Sequence, residues 1–331
     1  MEHLYSGYVF ESPGVYVRVC EVCGEPDRYN VTVSRIFGET RYETSLKIAD
    51  AVKAKLGVDK FSSIVIASGE NYADALAGSY LACVKDAPIL MASGRNDADL
   101  KAYIDANLAP GGQVYILGGK GAVPESLDAV LSGYNVKRLA GNTRFDTNIA
   151  ILQEAGVTAG DEILVCTGFS FADSLAASAV GKPILLVDTI NKKLTEGQKN
   201  YLATVNTDKF CIVGGTGAVD TTMESLIRQY GSVERVFGDN RYETSVAVAE
   251  RFFDAPSKAV IAYALNYPDG LCGGPLAASM GAPLLLTLTN LQSAITEYTT
   301  ANGIQSGAVL GGTALIDHLT ARDIFRVPVV G

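Results

Sequence analysis

The sequence predicts an α/β protein of three tandem lobes, each a small, mostly parallel sheet with flanking helices. Two observations carry this. The first is repetition. "RIFG" opens at Arg35, "RLAG" at Arg138 and "RVFG" at Arg235, 103 and 97 residues apart. "NYADAL" (71–76), "FADSL" (171–175) and "NYPDGL" (266–271) come next in each copy. Then come "APILM" (87–91), "KPILL" (182–186) and "APLLL" (282–286), and last "ILGGKGAV" (116–123), "IVGGTGAV" (212–219) and "VLGGTALI" (309–316). Such a unit is too long for a solenoid repeat and about the size of a small domain. The repeats run 34–134, 135–231 and 232–331, after a separate segment at 1–33. The second observation is texture: short, continuously apolar runs alternate with stretches of helical period.

In the first unit "SSIVIAS" (62–68), "PILMA" (88–92) and "QVYILG" (113–118) read as strands covered on both faces. Between them, "ETSLKIADAVKAKL" (43–56) places Ile48, Val52 and Leu56 on one helical face. Helices alternating with buried strands imply βαβ crossovers and a parallel sheet. Each helix start has its own device: "GETRYETS" (38–45), "GNTRFDTN" (141–148) and "GDNRYETS" (238–245). Thr40 with Glu43 forms a capping box, copied as Thr143 with Asp146 and Asn240 with Glu243. Gly38, Gly141 and Gly238 suit the turn from strand into helix. The box does not account for Arg41, Arg144 and Arg241. At the end of the chain, "FRVPVVG" (325–331) matches "VKRLAG" (136–141) and "VERVFG" (233–238), and is expected to be a strand completing the third sheet.

Residues 7–25, "GYVFESPGVYVRVCEVCGE", show strand-like alternation about Pro13-Gly14 and predict a β-hairpin with Cys20 and Cys23 close together. With His3 this resembles the tail of a small zinc-ribbon-like module, but one Cys-x-x-Cys falls short of four ligands. The pair is a disulfide, a metal half-site or two free thiols; no metal and no cofactor are expected. Cys83, Cys166, Cys211 and Cys272 read as small buried residues.

Net charge is −9 and the pI about 4.9, which argues against the basic face that nucleic acid requires. No apolar run approaches the roughly 20 residues that span a bilayer. Residues 1–20 lack a basic start followed by an apolar core, which fits a cytosolic protein or one whose export signal has been removed. Catalysis finds little support: His3 and His318 do not recur, and neither a G-x-S-x-G elbow nor an H-E-x-x-H motif is present.

"RIFGETRYET", "IASGENYADALAGS", "APILM" and "ILGGKGAV", with their counterparts, resemble the cell wall binding type 2 repeat, carried in threes by surface proteins of Gram-positive bacteria. The resemblance covers about 34–331. It implies three lobes around a pseudo-threefold axis, a monomer with an internal pseudo-trimer, and non-covalent anchoring to an anionic wall polymer outside the cell. It also implies a separate effector domain elsewhere in the full-length protein. In the family the Ile-Leu-Leu motif is associated with anchoring; here Pro88, Ile89, Leu90, Pro183, Ile184, Leu185, Pro283, Leu284 and Leu285 are read as buried strands. The second unit has "GFSFADSL" where the first has "GENYADAL", so the three sites are not expected to be equivalent. The rival reading is an α/β enzyme or small-ligand binder with internal threefold symmetry.

Three groups of residues could touch a ligand. Asp74, Asp173 and Asp269 follow an apolar strand at a helix start, where the dipole favours a carboxylate; open α/β sheets also hold ligands at these strand ends. A structural role is the preferred reading. Gly118, Gly119, Gly214, Gly215, Gly311 and Gly312 sit between strand and helix, where close backbone packing competes with phosphate binding. Arg41, Arg144 and Arg241 stand at first helical turns, where the dipole disfavours a cation. They are expected to form ion pairs with these aspartates, in their own or a neighbouring lobe, in preference to contacting polymer phosphates or carboxylates directly.

Overall fold

A computed structural model of the chain describes residues 9–12, 15–30, 32–289 and 293–327. An antiparallel sheet comes first: β1 (Val9–Ser12), β2 (Val15–Val19) and β3 (Pro26–Asn30), in the order β1-β2-β3. It has one strand more than the expected hairpin. Cys20 and Cys23 face each other across a turn closed by the Gly24 N–H donating to the Cys20 carbonyl (2.9 Å). Cys20 is buried and Cys23 exposed, and no disulfide joins them. His3 lies outside the described residues.

The first repeat opens with β4 (Val33–Ile36) and α1 (Arg41–Leu56). There follow β5 (Phe61–Ser68), α2 (Ala73–Val84), β6 (Ile89–Ala92), α3 (Asp97–Asn107), β7 (Leu108–Leu117) and α4 (Ser126–Val130). The second repeat runs β8 (Asn135–Leu139), α5 (Arg144–Ala155), β9 (Glu162–Thr167), α6 (Ala172–Ala177), β10 (Ile184–Val187), α7 (Glu196–Thr204), β11 (Lys209–Val213) and α8 (Thr221–Ile227). The third runs β12 (Ser232–Val236), α9 (Arg241–Phe252), β13 (Ala259–Tyr263), α10 (Gly273–Ser279), β14 (Leu284–Thr287), α11 (Ser293–Ala301), β15 (Gly307–Leu310) and α12 (His318–Phe325).

The "G-x-T-R" device holds each strand-to-helix joint. Thr40 and Thr143 accept the N–H three residues on, and Asn240 accepts from Tyr242 and Glu243. The expected box is displaced by one residue: Glu43 accepts the N–H of Glu39, not of Thr40, and Glu243 that of Asp239. A second threonine, Thr44, Thr147 or Thr244, accepts the N–H of the preceding glycine at 3.0–3.1 Å. That glycine is forced, because a Cβ at Gly38, Gly141 or Gly238 would lie 2.3–2.4 Å from the Cβ of the third helical residue. One residue further, Ser45, Asn148 and Ser245 each accept a backbone N–H from the Pro-Ile-Leu strand.

Three parallel sheets result, ordered β6-β5-β7-β8, β10-β9-β11-β12 and β14-β13-β15-β4. Each repeat's opening strand therefore belongs to the preceding sheet, and the ring closes when β4 joins the third, Gly307 to Leu310 pairing with Val33 to Ile36. This corrects the expectation for the C-terminus. The third sheet's last place is already filled by β4. "HLTARDIF" is a helix capped by Asp317, which buries Thr320, Ala321, Ile324 and Phe325; of the expected strand, Phe325 ends this helix, Arg326 and Val327 form a bend, and 328–331 lie outside the described residues.

The three seams differ in one charge. In β8, the Arg138 guanidinium donates to the Gly118 carbonyl and to the Asp128 carboxylate (2.5 Å); in β12, Arg235 does the same with Gly214 and Glu224 (2.6 Å). In β4, Arg35 reaches the Gly311 carbonyl (2.9 Å), but ten residues beyond Gly311 stands Ala321. Arg35 is only 6% exposed, and its Nε and Nη2 make no hydrogen bond among the described residues, although Asp317 attracts its charge through space. Supplying a carboxylate to a buried charged donor is worth roughly 1.5–3 kcal/mol. Ala321→Asp is therefore expected to stabilise the chain by about 2 kcal/mol in urea denaturation, and to give no gain in an Arg35→Met background.

Candidate functional site

The second helix of each lobe points its start at a common centre. There α10 contacts α2, α6 and the short 3₁₀ turn Ser178–Val180 that extends α6, and α2 contacts the same turn. The residues two before the repeated aspartates meet on this axis. Tyr72, Phe171 and Tyr267 form a closed triangle of edge-to-face rings with centroids 5.4, 5.6 and 6.0 Å apart. Edge-to-face packing of this kind matches the ring quadrupoles. Sequence reasoning missed these rings, although they recur at one fixed offset in "NYAD", "FAD" and "YPD".

Around the triangle lie the aspartates. Asp74 and Asp173 are second residues of α2 and α6. Asp269 instead sits in a turn four residues before α10 starts, because Pro268 and Gly270 keep that segment out of the helix. Each carboxylate packs on the first glycine of its own lobe's glycine pair: a Cβ at Gly118, Gly214 or Gly311 would stand 2.4–2.5 Å from its Oδ2. These glycines also hold φ of +95°, +113° and +95°, conformations that side chains disfavour. The crevice so formed is at the switch point of each sheet, between β5 and β7 in the first, where open α/β sheets place ligands. The second glycines are open: a Cβ at Gly119 meets nothing within 4 Å, and one at Gly215 or Gly312 meets only a phenylalanine ring edge at 3.6–3.8 Å.

The arginines do not behave as expected. Among the described residues none forms an ion pair with a repeated aspartate. Each spends Nη1 on a carbonyl just past the first central strand of its own lobe: Arg41 on Gly69 (2.8 Å), Arg144 on Gly168 (2.5 Å) and Arg241 on Ala264 (2.7 Å). That carbonyl holds the fork short of the carboxylate. The charges still feel one another across the lobe boundaries: Arg144 faces Asp74, Arg241 faces Asp173 and Arg41 faces Asp269. Burial raises all three carboxyls, Asp173 to about 6, and the facing arginine pulls each part of the way back; the Thr44 hydroxyl also helps ionise Asp269. The guanidinium of Arg144 stacks on Tyr72 and Phe169 at 5.9 and 5.4 Å, and that of Arg241 on Phe171 at 5.6 Å. Each fork keeps four further N–H donors that make no bond among the described residues.

The Pro-Ile-Leu strands are not part of this surface. Ile89, Leu90, Ile184, Leu185, Leu284 and Leu285 are at most 1% exposed. They form the edge strands β6, β10 and β14, each covered by its lobe's first helix.

The family model for "Cell wall binding domain 2 (CWB2)" matches residues 35–128, 138–224 and 235–319. The chain belongs to this family. It is a cell wall binding module, and its place is outside the cell, at the wall. It is similar to the N-acetylmuramoyl-L-alanine amidase LytC of Bacillus subtilis, 36% identical over 57% of this chain and 38% of the amidase. It is also similar to the "Amidase enhancer" of the same organism, 26% identical over 77% of this chain and 35% of that protein. The module thus spans little more than a third of either relative. The structure of Cwp8 from Clostridium difficile superposes with a TM-score of 0.79 at 22% identity, covering 94% of this chain and 58% of that one, and shows the same fold.

Proposed function

We propose that the module anchors non-covalently by holding an anionic wall polymer across the axial face. Arg41, Arg144 and Arg241 would receive its phosphates or carboxylates, and the Tyr72, Phe171 and Tyr267 rings would take its sugar faces. The arrangement of three half-free guanidinium forks around an aromatic triangle, at the sheets' switch points, carries this reading. It also meets the charge problem of an acidic protein on an acidic polymer. The cations are concentrated at one place, and the nearby carboxylates have a raised tendency to be neutral. The aspartates and the first glycines shape the crevice; Gly119, Gly215 and Gly312 have room beside a bound group. The module works without chemistry of its own, and the effector activity of a longer protein would lie in other domains.

Purified walls with and without their anionic polymer provide the test. Retention is expected only with the polymer, falling as salt rises. Arg144→Gln and Arg241→Gln are each expected to weaken retention about tenfold, the worth of one or two charge-assisted hydrogen bonds, in variants confirmed folded by their melting curves. Retention that ignores polymer removal would overturn the proposal.

A further inference from the structure

The first lobe has a cavity beside the start of its first helix. It is an open space of about 850 Å³ between the first turn of α1, the helix α3 and the loops after β5 and β6. That volume is within the range of small-molecule sites. One wall is apolar, built from the rings of Tyr42 and Tyr103. Both hydroxyls are tied down, Tyr42 to the Glu70 carboxylate and Tyr103 to Asp50 (2.9 Å), so the rings are held still. The other wall carries Glu43, Glu70, Asp99 and Arg95. Glu43 is engaged by the Glu39 N–H, whereas the side chains of Asp99 and Arg95 make no hydrogen bond or ion pair among the described residues. Three carboxylates against one guanidinium repel a phosphate and attract a protonated amine. The cavity adjoins the axial face, because the Tyr267 hydroxyl donates to the Glu70 carbonyl (2.9 Å). Four residues before each repeated aspartate stand Glu70, Phe169 and Leu265, so only the first lobe carries a carboxylate there.

We propose that this cavity is a subsite for an amino sugar. The ring lies against Tyr42 and Tyr103, and the protonated amine meets Asp99 and Glu70. The inference rests on the axial reading to the extent that the sugar belongs to the same polymer. While the arginines hold the polymer's anions, the first lobe selects a cationic sugar unit and so fixes which way the polymer crosses the pseudo-threefold face.

The test is an NMR titration of the ¹⁵N-labelled chain with glucosamine, N-acetylglucosamine and glucose 6-phosphate. Glucosamine is expected to shift the amides of Glu70, Arg95 and Asp99 with a Kd in the range of about 1 mM. N-acetylglucosamine, which has no charge to offer, is expected to bind about tenfold more weakly, and glucose 6-phosphate to leave these amides unmoved. Asp99→Asn, at an exposed helical position, is expected to weaken glucosamine about tenfold. Equal responses to the amine and the amide, or a glucosamine response indifferent to Asp99→Asn, would overturn the subsite. Wall retention of the arginine variants separates the two readings. Arginine-dependent retention with no glucosamine shift sinks the subsite alone. Glucosamine binding in a chain whose retention ignores the arginines overturns the assignment to the polymer.

Discussion

Gly118→Ala is expected to destabilise the module by about 2–5 kcal/mol, while Gly119→Ala one position later changes stability by no more than about 0.5 kcal/mol. Two effects add at Gly118. Its φ of +95° suits glycine and strains an alanine by roughly 1–2 kcal/mol. The new Cβ would stand 2.4 Å from Asp74 Oδ2 and 2.9 Å from Ala122 Cβ, and overpacking of this kind adds about 1–3 kcal/mol. Asp74 is 8% exposed and cannot swing away without leaving its pocket. Residue 119 has neither the strained φ nor a neighbour within 4 Å. Urea denaturation of the two single variants, and of Gly118→Ala combined with Asp74→Ala, decides it. In the Asp74→Ala background the glycine substitution loses the clash with Oδ2 but keeps the φ strain and the Ala122 contact, and should cost at least about 1 kcal/mol less than in the parent. Equal sensitivity at 118 and 119 would mean that the repeated aspartate and the first glycine are not one packed unit.

The same pair shows how far the sequence could be read. "NYADAL" and "ILGGKGAV" were visible as landmarks, and their strands and helices formed where continuous apolar runs and a 3.6-residue period placed them. That the aspartate of one motif rests on the glycine of the other could not be read, because the two are 44 residues apart and meet only once β5 and β7 are neighbours. The Arg–Asp relation was read as a pairing but not as a ring. A repeat looks the same whether its arginine faces its own aspartate or the neighbour's, and only the closed circle of lobes makes Arg144 face Asp74. Closure also supplies the last strand of the third sheet. "FRVPVVG" matches the border strands in composition, but β4 from the start of the chain already holds that edge, and a capped amphipathic helix leads into it. The aromatic triangle was within reach of the sequence, since Tyr72, Phe171 and Tyr267 recur at one offset. Large rings beside a helix start read as core until the axis gathers them.

Wall retention and folding stability should both rise as the pH falls from 7 to 5, and Asp173 is the reason. Burial lifts its carboxyl from 3.8 to about 6, against the pull of Arg241. Between those values the folded chain holds a proton that the unfolded chain gives up. Protonation therefore favours the fold. The gain is complete below 3.8, declines as pH rises through the window and is gone above about 6. Two units correspond to roughly 3 kcal/mol. Asp74 and Asp269 shift in the same direction. Glu224 and Asp220, lowered by their cationic partners, give an opposite slope at lower pH, so the informative quantity is the difference between the parent and Asp173→Asn. The variant should be the more stable at pH 7, and its advantage should vanish by about pH 4. Arg241→Gln removes the attraction that opposes burial, and should push the midpoint of that difference above 6. The consequence for binding has the same origin. A neutral Asp173 leaves Arg241 without a competing carboxylate, so polymer phosphates meet a stronger cation at pH 5 than at pH 7. Urea midpoints and wall retention measured across pH 4–7.5 test both parts. Retention that weakens on acidification while stability rises would show that Arg241 does not meet the polymer.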